Sequence, residues 1–334
     1  MFIKNVQETA LLETLDASDD CPHRPTNDPG WQESSLFVWH DLEAGVGGFW
    51  RLGQEPVVQE LNSCFGMFSA DGARFRSNVT GVPMTPGDRG ETHMGWGDQL
   101  RVDLDRLSIA ADFPDCEASL TFNDFFPRYD YSALVKGPTM PDGAAHHFEV
   151  AGSVTGSVRL GDREIVVNAL GYRDRSWGPR AWGTLRSTRW WPTVFGPDLS
   201  AHVLAVVTES GHYLKFGYVM RDGTPIAIVD SEILVTLESD ALSPVAGAAR
   251  LTLENGEHLD LRCERSDGVL LHVRGYTAVE CIGTARLGNR IGMSNLEVST
   301  NPTGGNRPPV YAIGANAGEG FSRRQDSRLH YPEK

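Results

Sequence analysis

The stretch HYLKFGYVMRDGTPIAIV, residues 212–229, indicates most directly how this chain folds. Two segments that alternate apolar with polar residues flank Asp222-Gly223. This dipeptide tolerates the positive φ values that a tight hairpin turn requires. The pattern therefore predicts two antiparallel β-strands joined by a short turn.

The same signal occurs at three other places in the chain. Asp71-Gly72 lies between CFGMFS and ARFRSN, Asn255-Gly256 lies between ARLTLE and EHLDLRC, and Gly161-Asp162 interrupts residues 152–167. Long helical periodicity is almost absent. The sequence therefore predicts an all-β protein whose sheets close or stack to bury their apolar faces.

The length of 334 residues exceeds that of a typical single domain. We expect an N-terminal β domain over residues 1–188 and a C-terminal β domain over residues 189–300. Residues 301–334 lose the strand alternation and become rich in Gly and Pro, so we expect a C-terminal extension there.

Charge and composition narrow the range of partners and compartments. The chain is 40% hydrophobic and 22% charged, with a net charge of -14, which opposes binding to nucleic acid or to an anionic membrane. No apolar run approaches the roughly 20 residues of a membrane span, and the five scattered cysteines suit a reducing compartment. We expect a cytoplasmic protein without membrane insertion, whose oligomeric state the sequence leaves open.

The segment GYRDRSWGPRAW, residues 171–182, interleaves aromatic with charged side chains. Tryptophan is usually buried, whereas aspartate and arginine are rarely buried unless they are paired. The composition therefore indicates charged groups held against aromatic walls, either in a functional site or at a rigid junction between domains.

This segment, together with WQESSLFVW (31–39), HHFEV (146–150), GSVTGSVRLGD (152–162) and GMSNLEVST (292–300), resembles a known superfamily. It is the two-domain lipocalin-like (calycin) superfamily of carotenoid 1,2-hydratase, AttH-like proteins and kievitone hydratase, to which certain fungal Diels-Alderases are distantly similar. The resemblance implies two tandem lipocalin-like β-barrel or β-sandwich domains, with an apolar small-molecule pocket between or inside them.

The resemblance also implies site residues, position by position. Asp174, Trp177 and Gly178 match the Asp-His-x-Trp-Gly form of the hydratase motif, but Arg175 replaces its histidine. The following strand has no Tyr-x-Asp pair, although His202 is a titratable group at about the right distance. These departures argue against a carotenoid hydratase proper.

Alkene hydration needs an acid that protonates one carbon and an environment that tolerates the resulting cation. Asp174 flanked by Tyr172 and Trp177 satisfies both needs, because aromatic faces attract cations and raise the pKa of a neighbouring carboxyl. The alternative is a structural anion, since pairing with Arg173, Arg175 or Arg180 would lower that pKa.

If the motif is extended, Tyr172, Asp174 and Ser176 face one side of the strand, and Arg173, Arg175 and Trp177 face the other. His202 is an acid or base, or a hydrogen-bonded residue of the fold. The catalytic candidates are thus Asp174 and His202. The candidates for substrate binding are Tyr172, Arg175, Trp177, Arg180, Trp39 and Glu33.

The sequence predicts neither a metal nor a cofactor. Adjacent residues on a strand project to opposite faces, so His146 and His147 are unsuited to binding one ion together. Glycine-rich phosphate loops, dinucleotide fingerprints and HExxH are missing from the sequence.

We therefore expect a cofactor-independent lyase or isomerase that acts on a hydrophobic terpenoid or aromatic small molecule. The reaction would be alkene hydration, dehydration or cyclisation in a pocket between the two β domains. A non-catalytic carrier of hydrophobic ligands is the main alternative, and a carbohydrate-binding β-sandwich is a third.

Overall fold

The computed structural model describes residues 2–5, 13–130, 146–182, 185–208, 212–240, 242–273 and 276–300. The all-β prediction is confirmed, because these residues form strands and two short 3-10 turns but no α-helix. No helix among them is long and apolar enough to be a membrane span. The expected extension at 301–334 lies outside the described residues.

The strands are numbered in chain order. Their bounds are β1 Phe2–Asn5, β2 Glu13–Leu15, β3 Trp31–Asp41, β4 Val46–Glu55, β5 Glu60–Ser69, β6 Arg74–Pro83, β7 His93–Trp96, β8 Leu100–Asp103, β9 Ser108–Phe113, β10 Cys116–Asp124, β11 Arg128–Asp130, β12 His146–Leu160, β13 Arg163–Pro179, β14 Leu185–Gly196, β15 Leu199–Thr208, β16 His212–Arg221, β17 Thr224–Leu237, β18 Pro244–Leu253, β19 His258–Val273, β20 Tyr276–Leu287 and β21 Arg290–Thr300.

All four hairpins predicted from turn dipeptides are confirmed. Asp71-Gly72 joins β5 to β6, Gly161-Asp162 joins β12 to β13, Asp222-Gly223 joins β16 to β17, and Asn255-Gly256 joins β18 to β19. Asp222 and Gly223 both have positive φ, 50° and 77°. This is the backbone that makes a two-residue turn match the twist of its strands.

The chain forms two compact units, which we describe separately. In the N-terminal unit, the described residues from 13 to 180 form one antiparallel sheet. Its order is β6-β5-β4-β3-β13-β12-β10-β9-β8-β7, with β11 on β12 and β2 on β11. Its hydrophobic core includes Phe37, Trp39, Trp50 and Phe122. We call the sheet face that bears these residues the core face and the opposite one the outer face.

Burial differs along this sheet. β10 alternates between buried and exposed residues as far as Asn123, as expected for a strand with one solvated face. β3 and β4 are buried at every residue and β5 at all but its first. Both faces of the sheet are therefore covered around these strands. The polar side chains that β3 and β4 place on the outer face are buried as well.

The C-terminal unit comprises the described residues from 181 to 300 together with β1. Its strands follow the order β16-β15-β14-β21-β20-β19-β18-β17, and β17 pairs again with β16, which closes an eight-stranded barrel. β1 adds to β16 in parallel. Side chains such as Trp191, Val203 and Leu261 fill the interior, as expected for a barrel of this strand number.

Candidate functional site

Strand β13 carries most of the motif and is extended through it. Tyr172, Asp174 and Ser176 lie opposite Val38, Leu36 and Ser34 of β3 in register. The intervening Arg173 lies opposite Phe37, a residue of the core face. The predicted alternation is thus present, with Asp174 on the outer face and Arg173, Arg175 and Trp177 on the core face.

Arg175 forms a fully buried ion pair with Glu33. Its Nη2 donates to Glu33 Oε1 at 2.6 Å, and both side chains are completely buried. Three backbone carbonyls accept its other hydrogen bonds: those of Asp20, Cys21 and Ser34. The pair therefore fixes the segment before β3 against the core face.

Two more basic groups reach the same carboxylate. Arg89 Nη2 contacts Glu33, and His23 Nδ1 lies 2.9 Å from Glu33 Oε1. Burial by itself would raise the pKa of Glu33, but Arg175, His23 and Arg89 outweigh it and lower the pKa to about 2. Glu33 is therefore an anion whose function in this structure is to hold charged neighbours together.

Arg173 forms a second ionic cluster on the core face. It donates to Asp20 at 2.5 Å and to Asp124 at 2.7 Å, and Arg128 also binds Asp20 at 2.8 Å. Because these partners come from distant parts of the sequence, the cluster ties the 3-10 turn at Ala17–Asp20 to the sheet.

Three of the expected substrate-binding residues lie inside this unit. Arg175 and Glu33 are enclosed and bonded to protein groups, so they stabilise the fold and do not face a ligand. Trp39 belongs to the hydrophobic core, where it packs so closely on Gly48 that an added Cβ would lie 2.9 Å from its ring. A site-facing role for these side chains would require unpacking the unit.

Trp177 also lies away from Asp174. Its ring stacks between those of His23 and His146, with centroid distances of 3.9 and 4.9 Å. β13 continues to Pro179 without a bend between Asp174 and Trp177. The expectation that Trp177 forms an aromatic wall beside Asp174 is therefore corrected: it packs on the opposite face.

On the outer face, the carboxylate of Asp174 contacts His147 Nε2. Glu149 lies directly opposite Asp174 in the β12–β13 register, and its Oε1 is 3.6 Å from the same Nε2. His147 and Asp174 are 18% and 12% exposed, whereas Glu149 is fully buried. The cluster thus combines a partly accessible imidazole with two carboxylates.

The ionisation of Asp174 is set by its neighbours. Burial raises its pKa, but His147, Arg180 and Arg51 together outweigh burial, and the net pKa lies below the ordinary 3.8. The group is therefore a carboxylate at neutral pH, which favours the anion among the two roles that the sequence left open. Arg173 and Arg175, which the sequence offered as partners, are engaged on the other face.

Two arginines border this cluster on the outer face. Arg180 Nη1 donates to Ser176 Oγ at 3.3 Å, and Ser176 Oγ lies 2.8 Å from Ser34 Oγ. The guanidinium of Arg51 lies over Gly53, since a Cβ built there would be 2.9 Å from Arg51 Nη1. Tyr172 also belongs to this face and is 1% exposed.

Sequence reasoning missed His147, Glu149 and Arg51. His147 attracted notice only as half of a His-His pair, whose members do lie on opposite faces: His146 stacks on Trp177 and His147 contacts Asp174. Arg51 and Glu149 stand in ordinary strand sequences. Only strand pairing brings them close to Asp174.

One group of described residues has the donor set of a metal site: His147, Glu149 and Asp174, whose ligand atoms lie within 4.8 Å of one another. One imidazole and two carboxylates suit a divalent transition metal. However, Arg51 and Arg180 both act electrostatically on Asp174, and their charges oppose a cation. The arrangement suits proton transfer better than metal binding.

His202 belongs to the C-terminal unit, on β15. It is 1% exposed, and the rings of Phe216 and Tyr218 contact it edge-on at 5.9 and 5.6 Å. In the same unit, Glu297 Oε1 accepts hydrogen bonds from Tyr276 at 2.7 Å and from Thr188 at 2.5 Å. Burial and the Glu297 charge raise the pKa of Tyr276 well above its ordinary value.

The fold defines a class: an all-β protein of two units, an open antiparallel sheet and an eight-stranded barrel, with a polar cluster on the outer face of the sheet. Within this class, a family model described as "Domain of unknown function (DUF7064)" matches residues 16–302. The chain therefore belongs to that family. No match was found among curated protein sequences.

Three solved structures share the fold, each with a TM-score of 0.57. An AttH-like protein from Nitrosomonas europaea is 12% identical, with 89% of this chain and 99% of that chain covered. CghA is 13% identical (82% and 88%), and kievitone hydratase from Nectria haematococca is 10% identical (90% and 98%). At these identities the likeness establishes the fold alone, and this fold is the one that the resemblance predicted.

Proposed function

We propose that this chain is a lyase or isomerase that acts on a hydrophobic small molecule without a cofactor. The reaction is hydration, dehydration or cyclisation at an alkene of a terpenoid or aromatic compound. One observation carries the proposal: His147 Nε2 contacts an ionised Asp174 on the outer face of β12 and β13, where both groups are partly exposed.

Histidine is the side chain best suited to accept and return a proton near neutral pH. A carboxylate that contacts one ring nitrogen orients the imidazole and stabilises its protonated form. In this proposal His147 moves the proton, Asp174 positions it, and Glu149 supplies a second negative charge 3.6 Å from Nε2.

The comparisons support the proposal only through the fold. One protein with this fold is named kievitone hydratase, so the architecture accommodates addition of water to a small molecule. A fold hosts many functions, and the argument for this chain therefore rests on the side chains of the outer face.

The test uses a panel of terpenoid and aromatic alkenes, some conjugated to a carbonyl group and some isolated, incubated with the purified chain in D₂O and in H₂¹⁸O. We expect mass spectrometry to find solvent deuterium or oxygen incorporated into at least one compound. His147→Gln should reduce incorporation by about 10²- to 10⁴-fold, the usual contribution of a general acid–base group.

His146→Gln is the matched control, because His146 neighbours His147 in sequence but stacks on Trp177 on the core face. It should retain incorporation. If the wild-type chain labels no compound, or if His147→Gln labels as fast as wild type, the proposal is wrong. Binding of panel members without any labelling would instead identify a carrier.

A further inference from the structure

The outer face carries an electrostatic feature that the proposed proton transfer does not use. Ser176 of β13, Ser34 of β3 and Gly53 of β4 are register neighbours, and His147 of β12 lies opposite Ser176. Side chains at such positions lie next to one another on a single face of the sheet. The row therefore runs across four strands, from the imidazole at one end to Gly53 at the other.

A guanidinium group lies near each end of the hydrogen-bonded pair formed by Ser176 and Ser34. Arg180 Nη1 donates to Ser176 Oγ at 3.3 Å, and the Arg51 guanidinium lies over Gly53. A Cβ on Gly53 would also lie 2.7 Å from Gln32 Nε2, so a further N–H donor reaches this position. The row thus collects two positive charges, an amide and two hydroxyl groups close to His147 and Asp174.

The two arginines are close enough to act on each other. Burial and the neighbouring Arg180 charge lower the pKa of Arg51 to about 10, although Asp174 and Glu55 partly offset them. The Arg51 guanidinium is therefore still charged at neutral pH.

The positive charge of these two guanidinium groups determines which kind of reaction intermediate they stabilise. Two guanidinium groups destabilise a carbocation and stabilise a negatively charged oxygen. Of the two aromatic groups expected to stabilise a cation, Trp177 lies on the opposite face of the sheet and Tyr172 lies on the outer face, where it is 1% exposed. Asp174 and Glu149 add negative charge at the His147 end of the row. The other end, with its two guanidinium groups, therefore favours an oxyanion over the cation that hydration of an isolated alkene requires.

We propose that Arg51 and Arg180 bind an oxyanion of the substrate, which makes the substrate a hydrophobic alkene conjugated to a carbonyl group, or the corresponding β-hydroxy carbonyl compound. This inference rests on the proposed function. Guanidinium groups offer several N–H donors in a plane and bind carboxylate-like oxygens especially well. The serine pair and Gln32 border the same site.

The reaction then balances without a cofactor. His147 takes a proton from water as the water oxygen bonds to the β-carbon, and the alkene electrons move to the carbonyl oxygen. Arg51 and Arg180 hold the resulting enolate. The imidazolium returns its proton to the α-carbon as the carbonyl re-forms, so the sum is the addition of one water molecule, and the reverse sequence is dehydration.

Binding tests the inference independently of turnover. The probes are 2-naphthoate and its neutral analogue 2-naphthylmethanol, measured by calorimetry at low salt. We expect 2-naphthoate to bind wild type at least about tenfold more tightly, the lower range for hydrogen bonds to charged groups. Arg180→Met should abolish this preference and leave the affinity for 2-naphthylmethanol nearly unchanged.

Two further variants keep the test interpretable. Gly53→Ala retains every charge but displaces the Arg51 guanidinium, so it should also reduce the preference for 2-naphthoate. Arg159→Met removes a partly exposed arginine that pairs with Glu117 elsewhere in this unit, and it should retain the preference. Equal affinity for the two probes, or an unchanged preference in Arg180→Met, would overturn the inference.

Measurements of turnover distinguish the oxyanion site from the proposed lyase or isomerase activity. trans-Chalcone has an alkene conjugated to a carbonyl group, whereas trans-stilbene has a similar aromatic frame and no carbonyl. We expect hydration of trans-chalcone alone. Hydration of both at equal rates would refute the oxyanion site but leave the hydratase, whereas anion binding without labelling of any alkene would refute the enzyme.

Discussion

Asp174 contacts His147 diagonally across the β12–β13 pairing, because Asp174 lies opposite Glu149 and His147 lies opposite Ser176. This offset brings the imidazole nitrogen close to two carboxylates, of which Asp174 is partly exposed. The outer face of these two strands thus has the elements of a proton-transfer site, whereas the core face uses its charges to stabilise the fold.

Asp174→Asn tests whether this contact is functional or structural. The amide keeps the shape of the side chain but loses the charge that orients and stabilises the His147 imidazole. We expect the labelling reaction to slow by about 10²- to 10⁴-fold, while the melting temperature changes by about 2–4 °C or less. Circular dichroism and ligand binding check the fold, and cooperative unfolding of the variant at room temperature would make Asp174 a structural anion instead.

Glu33→Gln tests the buried ion pair. The substitution leaves Arg175 and Arg89 close together without their shared carboxylate. Removal of one partner of a buried ion pair lowers the free energy of unfolding by about 3–5 kcal/mol. Urea unfolding monitored by tryptophan fluorescence measures this loss. The control is Arg250→Met in the exposed pair with Asp260, which should have no measurable effect.

The double variant Glu33→Gln/Arg175→Met distinguishes loss of the pair from loss of packing. It removes the uncompensated Arg175 charge, so its unfolding free energy should decrease by less than the sum of the two single substitutions. Additive losses would indicate that the two side chains act independently, contrary to their 2.6 Å contact.

Glu33 also predicts a pH dependence. Its pKa is about 2 in the folded chain against an ordinary 4.5, so its contribution to stability is complete above pH 4.5 and is lost as the pH falls toward 2. The difference between these two pKa values corresponds to about 3 kcal/mol in the free energy of unfolding. The stability gap between wild type and Glu33→Gln should therefore narrow between pH 4.5 and 2, and a constant gap over this interval would contradict the assignment.

The cysteines give a prediction about burial. Cys64, Cys116, Cys263 and Cys281 are buried, and burial raises the pKa of Cys116 and of Cys263 to about 12. Only Cys21 is partly exposed, so iodoacetamide at pH 8 should add at most one group to the native chain and five in urea. Intact-mass measurement decides the count, and rapid multiple alkylation of the native chain would show that these thiols are accessible.

The fold followed from local features of the sequence. Gly72, Gly161, Gly223 and Gly256 all have positive φ and lie at the predicted turns. Alternation along residues 172–177 also separated Asp174 from Arg175 and Trp177 before any strand pairing was known. These features are local because turn chemistry and the two-residue period of a strand depend on neighbouring residues alone.

The interpretation of the site was only partly accessible from the sequence. The motif marked Asp174 but left its role as an acid or as a structural anion open, because a pKa depends on groups brought close by folding. His147, Arg51 and Arg180 come from three different segments, and together they keep the carboxyl ionised. Glu33 and Arg175 are separated by 142 residues yet neutralise each other.

The sequence by itself thus determined the strand content, the hairpins and the face on which each residue of the motif lies. Tertiary structure decided which charges meet, because pairing of β12, β13, β3 and β4 brings together residues far apart in the chain. Electrostatic interactions depend on distance and burial, and neither quantity is encoded in local sequence. For that reason Asp174 became the carboxylate partner of His147, and Arg175 became part of the folded core.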